Sequence, residues 1–307
     1  MLDRALVEAI AAELGTRSGL IEKDWHVVRA LGVLATLDHG AVQPAFSGGT
    51  SLSKGWGLIK RFSEDIDFKL AGGADRASRR AYREMIVTAL QVAGFELSGD
   101  VRVRDSSKFF AADFAYISEF PAGPGLRPHI RVEMSFGAPA LPPVQRPIQS
   151  LVGLAQQQTP EIAAFACIDP VETAADKLSA LAWRVCTRQR GSENDDATII
   201  RHLHDLAALE HMVITATAFK DLVLQAAAAD DGRGGGTAPA TAAERFTAMM
   251  HILQSDKLWA QEYDSYVHQV SFGRQEEFIL FGSALEAVVR LMNTLMDQAR
   301  QEPILST

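Results

Sequence analysis

The stretch Phe46-Ser47-Gly48-Gly49-Thr50-Ser51-Leu52-Ser53-Lys54, followed by Arg61-Phe62-Ser63-Glu64-Asp65-Ile66-Asp67-Phe68, decides how this chain reads. Phe46 to Thr50 is a short apolar entry into a glycine turn, and Ser51 to Ile59 reads as a helix beginning at that turn. Two glycines ahead of a helix start let the backbone approach an anion, where amides and the positive helix end favour phosphate, and hydroxyls add donors. Gly48, Gly49, Thr50 and Ser51 are therefore the expected phosphate cradle. Asp65 to Leu70 alternates like a strand, which turns Asp65 and Asp67 to one face and sends Ile66 and Phe68 into the core. Paired carboxylates suit Mg²⁺ or Mn²⁺, hard cations commonly held by one or two carboxylates while phosphate oxygens complete the shell.

Upstream, helical periodicity from Leu2 to Leu37, broken near Gly15 to Gly19, predicts two successive helices. Downstream, a helix carrying Arg76, Arg79, Arg80 and Arg83 is expected to run to Ala93. Its cations have two readings, salt bridges to Glu64 or Glu84 and contact with RNA phosphates. Period-two patterns follow at Phe95 to Arg104, Phe109 to Ile117 and His129 to Phe136. In the last of these, Arg131, Glu133 and Ser135 share a face, so Glu133 joins the two aspartates as metal ligand or base if its strand lies beside theirs.

After Pro160 the strand signal fades, and Val171 to Val185, Ala197 to Glu210, Ala216 to Ala229, Ala242 to Ser255 and Phe278 to Ala299 all favour helices. The expectation is an α+β chain: a mixed-sheet domain over residues 1–160 with N-terminal helices, then an all-helical domain over 161–307 that closes a nucleotide cleft. The alanine- and glycine-rich segment Gln225 to Ala243 reads as a flexible insertion. Lys177, Arg184 and Arg188, spaced by seven and four, form a cationic stripe able to meet a triphosphate. Arg201 and Asp205, four apart, read as a pair, and His202 and His204 as ordinary helix residues rather than zinc ligands.

Composition bounds the alternatives. The 307 residues, 47% apolar and 22% charged, are ordinary globular usage. A formal charge of -8 means that any nucleic-acid site is a local patch. Cys167 and Cys186 make neither a disulfide framework nor a zinc pair, which suits a reducing, cytoplasmic setting. The acidic N-terminus lacks a secretory pattern, and no run is expected to reach the roughly 18 apolar residues of a membrane span, since Glu286 and Arg290 interrupt the richest stretch.

With these residues in place, the chain resembles the nucleotidyltransferase toxins of the AbiEii/AbiGii family, relatives of the polymerase-β-like superfamily. Ile21-Glu22-Lys23-Asp24-Trp25-His26 is similar to the family's N-terminal signature, and Gly48-Gly49-Thr50 through Arg61, Ser63, Asp65 and Asp67 to its glycine and metal motifs. Arg131-Val132-Glu133 resembles its third motif, and Lys177, Arg201-His202 and Asp205-Leu206 its C-terminal one. The resemblance implies a polymerase-β-like lobe that transfers a nucleoside monophosphate from an NTP to an RNA acceptor, the tRNA 3′ end in characterised relatives, and a cognate antitoxin as partner. It implies metal at Asp65 and Asp67, a third motif acid at Glu133, nucleotide phosphate contact from Lys177, an essential acid at Asp205, and regulatory phosphorylation at Ser63; Arg184 is a nucleotide-binding candidate from its place in the stripe alone. A protein or small-molecule hydroxyl is the alternative acceptor, and a non-catalytic nucleotide-binding partner the alternative class. Glu133 departs from the aspartate common in the superfamily.

Overall fold

Alternation in the first half of the chain builds one seven-stranded mixed sheet among the residues that the computed structural model describes. These are residues 2–300 except 74, 121–125, 128, 194 and 232–237, with side chains described to 295. By contact the chain divides into two units, one ending at Asp169 and taking in Ser271–Glu276, the other comprising Pro170–Val270 and resuming at Glu277.

The first unit runs α1 Arg4–Glu13, α2 Ser18–Ala35, β1 Gln43–Ser47, α3 Gly48–Lys54, β2 Asp65–Ala71, α4 Arg76–Val92, β3 Glu96–Arg104, β4 Phe109–Ala115, β5 His129–Phe136, β6 Val144–Ile148, α5 Leu151–Ala155 and β7 Ile162–Cys167. The strand order is β3-β4-β5-β2-β1-β7-β6. β2 lies parallel to β5 and antiparallel to β1, so the strands that carry the glycine turn and the acids occupy the middle of the sheet.

Ile66, Phe68 and Leu70 of β2 and Ile130, Val132 and Met134 of β5 share a buried cluster with Val27, Leu31 and Leu34 of α2 and Ile86 and Leu90 of α4. Because strand side chains alternate, that burial turns Asp65, Asp67 and Glu133 to the other face. α4 starts cleanly because Asp75 caps it, accepting from Ser78 N at 2.8 Å, and it buries Tyr82, Ile86 and Leu90 at four-residue spacing. Its arginines thus sit on the helix layer, away from the acid face. Arg80 pairs with Glu84 at 2.8 Å, while Arg79 donates to Gly73 O at 2.9 Å and Ser106 O at 3.2 Å. Glu64, offered above as a partner for these arginines, pairs elsewhere.

The second unit is helical: α6 Pro170–Thr187, α7 Arg201–Val213, α8 Phe219–Asp231, α9 Ala242–Ser255, α10 Leu258–Val270 and α11 Phe281–Arg300. β7 continues the sheet past residue 160, and the division falls after Asp169. Its sequence Ile162-Ala163-Ala164-Phe165-Ala166-Cys167 is alanine-rich and has little strand propensity of its own, so pairing with β1 and β6 sets its state. The expected insertion over 225–243 is helical as far as Asp231, and α9 begins in a capping box of Thr241 and Glu244; positions 232–237 lie outside the described residues.

The window Gln275–Leu295 is, against expectation, long and apolar enough to cross a membrane by length and composition. From Phe281 onward it is α11, an amphipathic helix of the second unit. Ala284, Ala287, Val288 and Leu291 are buried, and Arg290 Nη2 donates to Glu210 Oε2 on α7 at 2.9 Å.

Candidate active site

Gly48 opens α3 with φ +74, a left-handed conformation that glycine adopts without penalty. A Cβ there would stand 2.1 Å from Asp67 Oδ2, so the Asp67 carboxylate lies directly over the bare turn. At Gly49 a Cβ would meet Arg61 Nη2 at 2.6 Å and Ser63 Oγ at 2.8 Å. The glycine pair is therefore a surface onto which Asp67, the buried Arg61 and Ser63 close. Ser47, the residue before the helix, makes no side-chain cap, which leaves that role at the first amides to another group.

The hydroxyls of Thr50 and Ser51 do not face this surface, contrary to the cradle expected above. The helix starts at Gly48 rather than Ser51, which rotates both residues inward: Thr50 is 0% exposed and donates to the Asp65 carbonyl, and Ser51 is 1% exposed. Thr50 thus fixes the start of β2, and the cradle that remains is the Gly48–Gly49 backbone. α3 is only seven residues long, so its dipole adds little to that backbone.

Parallel pairing of β2 and β5 sets Asp65 opposite Arg131 and Asp67 opposite Glu133. This strand adjacency is the one that joint use of the three acids requires. Arg131 itself is spent on Asp113 of β4, with Nε 2.8 Å from Oδ1. Among the described residues, no three His, Cys, Asp or Glu side chains converge closely enough to hold a metal unaided. That is compatible with Mg²⁺, which is ordinarily held by one or two carboxylates together with substrate phosphates rather than by an all-protein cage. The donors fit such an ion on one further observation: Asp65 Oδ1 is buried and receives no hydrogen bond.

Behind Asp65 lies a network that sequence reasoning missed. Lys23 pairs with Glu64 and donates to Arg127 O at 2.8 Å, and Arg127 Nη2 donates to Asp65 Oδ2 at 3.2 Å. Burial alone would raise the Glu64 carboxyl, but the charges of Lys23 and Arg127 outweigh it and hold Glu64 below its ordinary value. Burial holds the Lys23 ammonium below its own, against the pull of Glu64. A carboxylate depressed in the folded state contributes stability that is complete above its unfolded pKa, about 4.3, and lost as pH falls through the folded value. Thermal melts between pH 7 and pH 3 should therefore show a midpoint that drops below about pH 4, with a shallower drop in Glu64→Gln.

In the second unit Lys177 Nζ lies 2.7 Å from Asp205 Oδ2, with side chains 8% and 0% exposed. Asp205 therefore pairs with Lys177 and not with Arg201, whose Nη1 turns to Thr198 Oγ1 at 3.2 Å. Burial first, then Lys177, Arg201 and Arg184, hold the neighbouring His202 well below its ordinary value. The expected cationic stripe is a row of ion pairs: Arg184 reaches Asp196 at 3.2 Å, and Arg188 reaches Asp195 and Glu262, each at 2.6 Å.

The family described as nucleotidyl transferase AbiEii toxin, type IV TA system, matches residues 31–288. Among solved structures, the nucleotidyltransferase toxin MenT4 (Rv2826c) of Mycobacterium tuberculosis H37Rv is 19% identical, with a TM-score of 0.59 over 99% of this chain and 91% of that one. The chain thus shares its α+β fold with that toxin. The STING-associated CdnE c-di-GMP synthase of Capnocytophaga granulosa also matches, at 11% identity over 97% of this chain and 88% of that one, with a TM-score of 0.28. Comparison with curated proteins gives no match.

Proposed function

Because the chain belongs to the AbiEii family of nucleotidyltransferase toxins of type IV toxin–antitoxin systems, we propose that it transfers a nucleoside monophosphate from an NTP to an RNA hydroxyl, the 3′ end of tRNA. Membership makes it an enzyme with a nucleoside triphosphate substrate and a cognate antitoxin.

The observation that carries the reading is the Asp67 carboxylate lying over the Gly48 turn, opposite Glu133 on the neighbouring strand and two residues from Asp65, whose buried Oδ1 receives no hydrogen bond. In the proposed reaction the acceptor oxygen bonds to the α-phosphorus, the bond from that phosphorus to the pyrophosphate oxygen breaks, and the hydroxyl proton leaves. The backbone of Gly48 and Gly49 would take phosphate oxygens once the Asp67, Arg61 and Ser63 side chains that close onto it move aside. Asp65 and Asp67 would hold Mg²⁺ or Mn²⁺, and the ion would supply charge neutralisation at the triphosphate. Glu133, opposite Asp67 in the strand register, would take the hydroxyl proton under this reading.

The contribution of Lys177 rests on the resemblance, which assigns its ammonium to the nucleotide phosphates; Asp205 holds that ammonium. Arg184 reaches phosphate under this reading only by leaving Asp196. Ser63 lies over Gly49, so a phosphate attached to its hydroxyl would fill the space above the turn and oppose nucleotide entry.

The test is incubation with each α-labelled NTP, Mg²⁺ and total tRNA. Label is expected in tRNA with at least one nucleotide. Folded protein that incorporates none of the four overturns the function; label that migrates with protein or dialyses away overturns the RNA acceptor and leaves the chemistry standing.

A further inference from the structure

We infer that Arg127 is a positioning residue for Asp65: its guanidinium lies against both carboxylate oxygens, hydrogen-bonded to Oδ2 alone, and so fixes the plane in which the carboxylate meets a divalent cation. The inference rests on the proposed function, which makes Asp65 a metal ligand.

Arg127 lies just ahead of β5, and three contacts fix it. Its Nε donates to Glu64 Oε1, its carbonyl accepts from Lys23 Nζ at 2.8 Å, and its Nη2 donates to Asp65 Oδ2 at 3.2 Å. The same Nη2 stands 3.0 Å from Asp65 Oδ1 but makes no hydrogen bond to it, which leaves that oxygen buried and without a donor. Only the planar guanidinium fork can serve two adjacent carboxylates at once in this way; an ammonium is a point charge without a fixed plane.

The surroundings suit orientation rather than substrate capture. Lys23 and Glu64 are 3% and 23% exposed and bind Arg127 from behind, through its main chain and its Nε. The order of control runs from Lys23 of α2, through Glu64, to Arg127 and then Asp65. Carboxylates that hold metals are commonly hydrogen-bonded through a second group that fixes their orientation, and loss of that group typically costs about 10–100-fold in metal affinity or activity. A buried carboxylate oxygen with no donor, next to one that has a donor, is what such an arrangement leaves behind.

The experiment measures Mn²⁺ alone, titrated into full-length protein and followed by the electron paramagnetic resonance of the free ion. Wild type is compared with Asp65→Ala, Arg127→Gln, Arg127→Lys and Glu64→Gln. The Arg127→Gln variant is expected to bind Mn²⁺ about 10–100-fold more weakly. Arg127→Lys should also bind more weakly although the charge is kept, and Glu64→Gln should show a smaller loss in the same direction. The Mg²⁺ concentration for half-maximal transfer should rise in parallel, a shift that lost stability alone does not cause. Mn²⁺ binding by both Arg127 variants as tight as wild type, while Asp65→Ala loses it, overturns this inference only. Wild-type binding by Asp65→Ala overturns the metal-site reading beneath it.

Discussion

Asp67→Asn is expected to lower nucleotidyl transfer by on the order of 10³-fold, the upper range for losing one preorganised electrostatic partner, with little change in the unfolding midpoint. Asparagine keeps the shape and one acceptor oxygen but carries no charge, so it fits over Gly48 while failing to balance a cation. Gly48→Ala approaches the same site from the other side. Its Cβ would stand 2.1 Å from Asp67 Oδ2, on a backbone with φ +74. The left-handed conformation costs a non-glycine residue roughly 1–2 kcal/mol, and the carboxylate must also move away. Initial rates of label incorporation, with thermal melts as the control, check both variants. A folded Asp67→Asn protein that retains more than about a tenth of the wild-type rate would remove Asp67 from the chemistry.

Asp24→Ala is expected to destabilise the first unit by about 3–5 kcal/mol, the usual cost of breaking a buried ion pair from one side. Asp24 pairs with Lys54, with side chains 4% and 7% exposed, and accepts from Leu151 N at 2.7 Å. One carboxylate therefore ties α2 to the end of α3 and the start of α5. Its removal strands an ammonium and an amide in the interior. Lys54→Met should cost a comparable amount by stranding Asp24, and Asp24→Leu combined with Lys54→Met should recover much of the loss, because well-packed apolar replacements of buried pairs are often neutral. Urea denaturation of the four proteins measures this; single variants within about 1 kcal/mol of wild type would show that the pair is not needed to seat α3. Since α3 opens with Gly48 and Gly49, the variants that unseat it should also lose transfer.

Residues whose role follows from local periodicity were legible in the sequence. Alternation in Asp65-Ile66-Asp67-Phe68 and in Ile130-Arg131-Val132-Glu133 announced which side chains go inward, and both strands behave accordingly. Helix α9 also emerged with its ends, because its apolar residues recur at helical spacing from Ala242 to Ser255. What was hidden depends on partners distant in the chain. Arg127 lies 62 residues from Asp65, and no spacing rule links them. Thr50 and Ser51 looked like phosphate donors because a helix start three residues off turns their hydroxyls to the wrong side. Alanine-rich β7 and Pro147-containing β6 have weak strand signals of their own and are set by pairing. α10 buries only Trp259, Tyr263 and Val267 among polar residues, too sparse a stripe to stand out.

The most direct test is a crystal of the protein soaked with Mn²⁺ and a non-hydrolysable NTP, with manganese located by its anomalous scattering. A peak bridging carboxylate oxygens of Asp65 and Asp67, with the triphosphate against the Gly48–Gly49 backbone, is the predicted result. Manganese and triphosphate bound together elsewhere, with Asp67 still closed over Gly48, would contradict it.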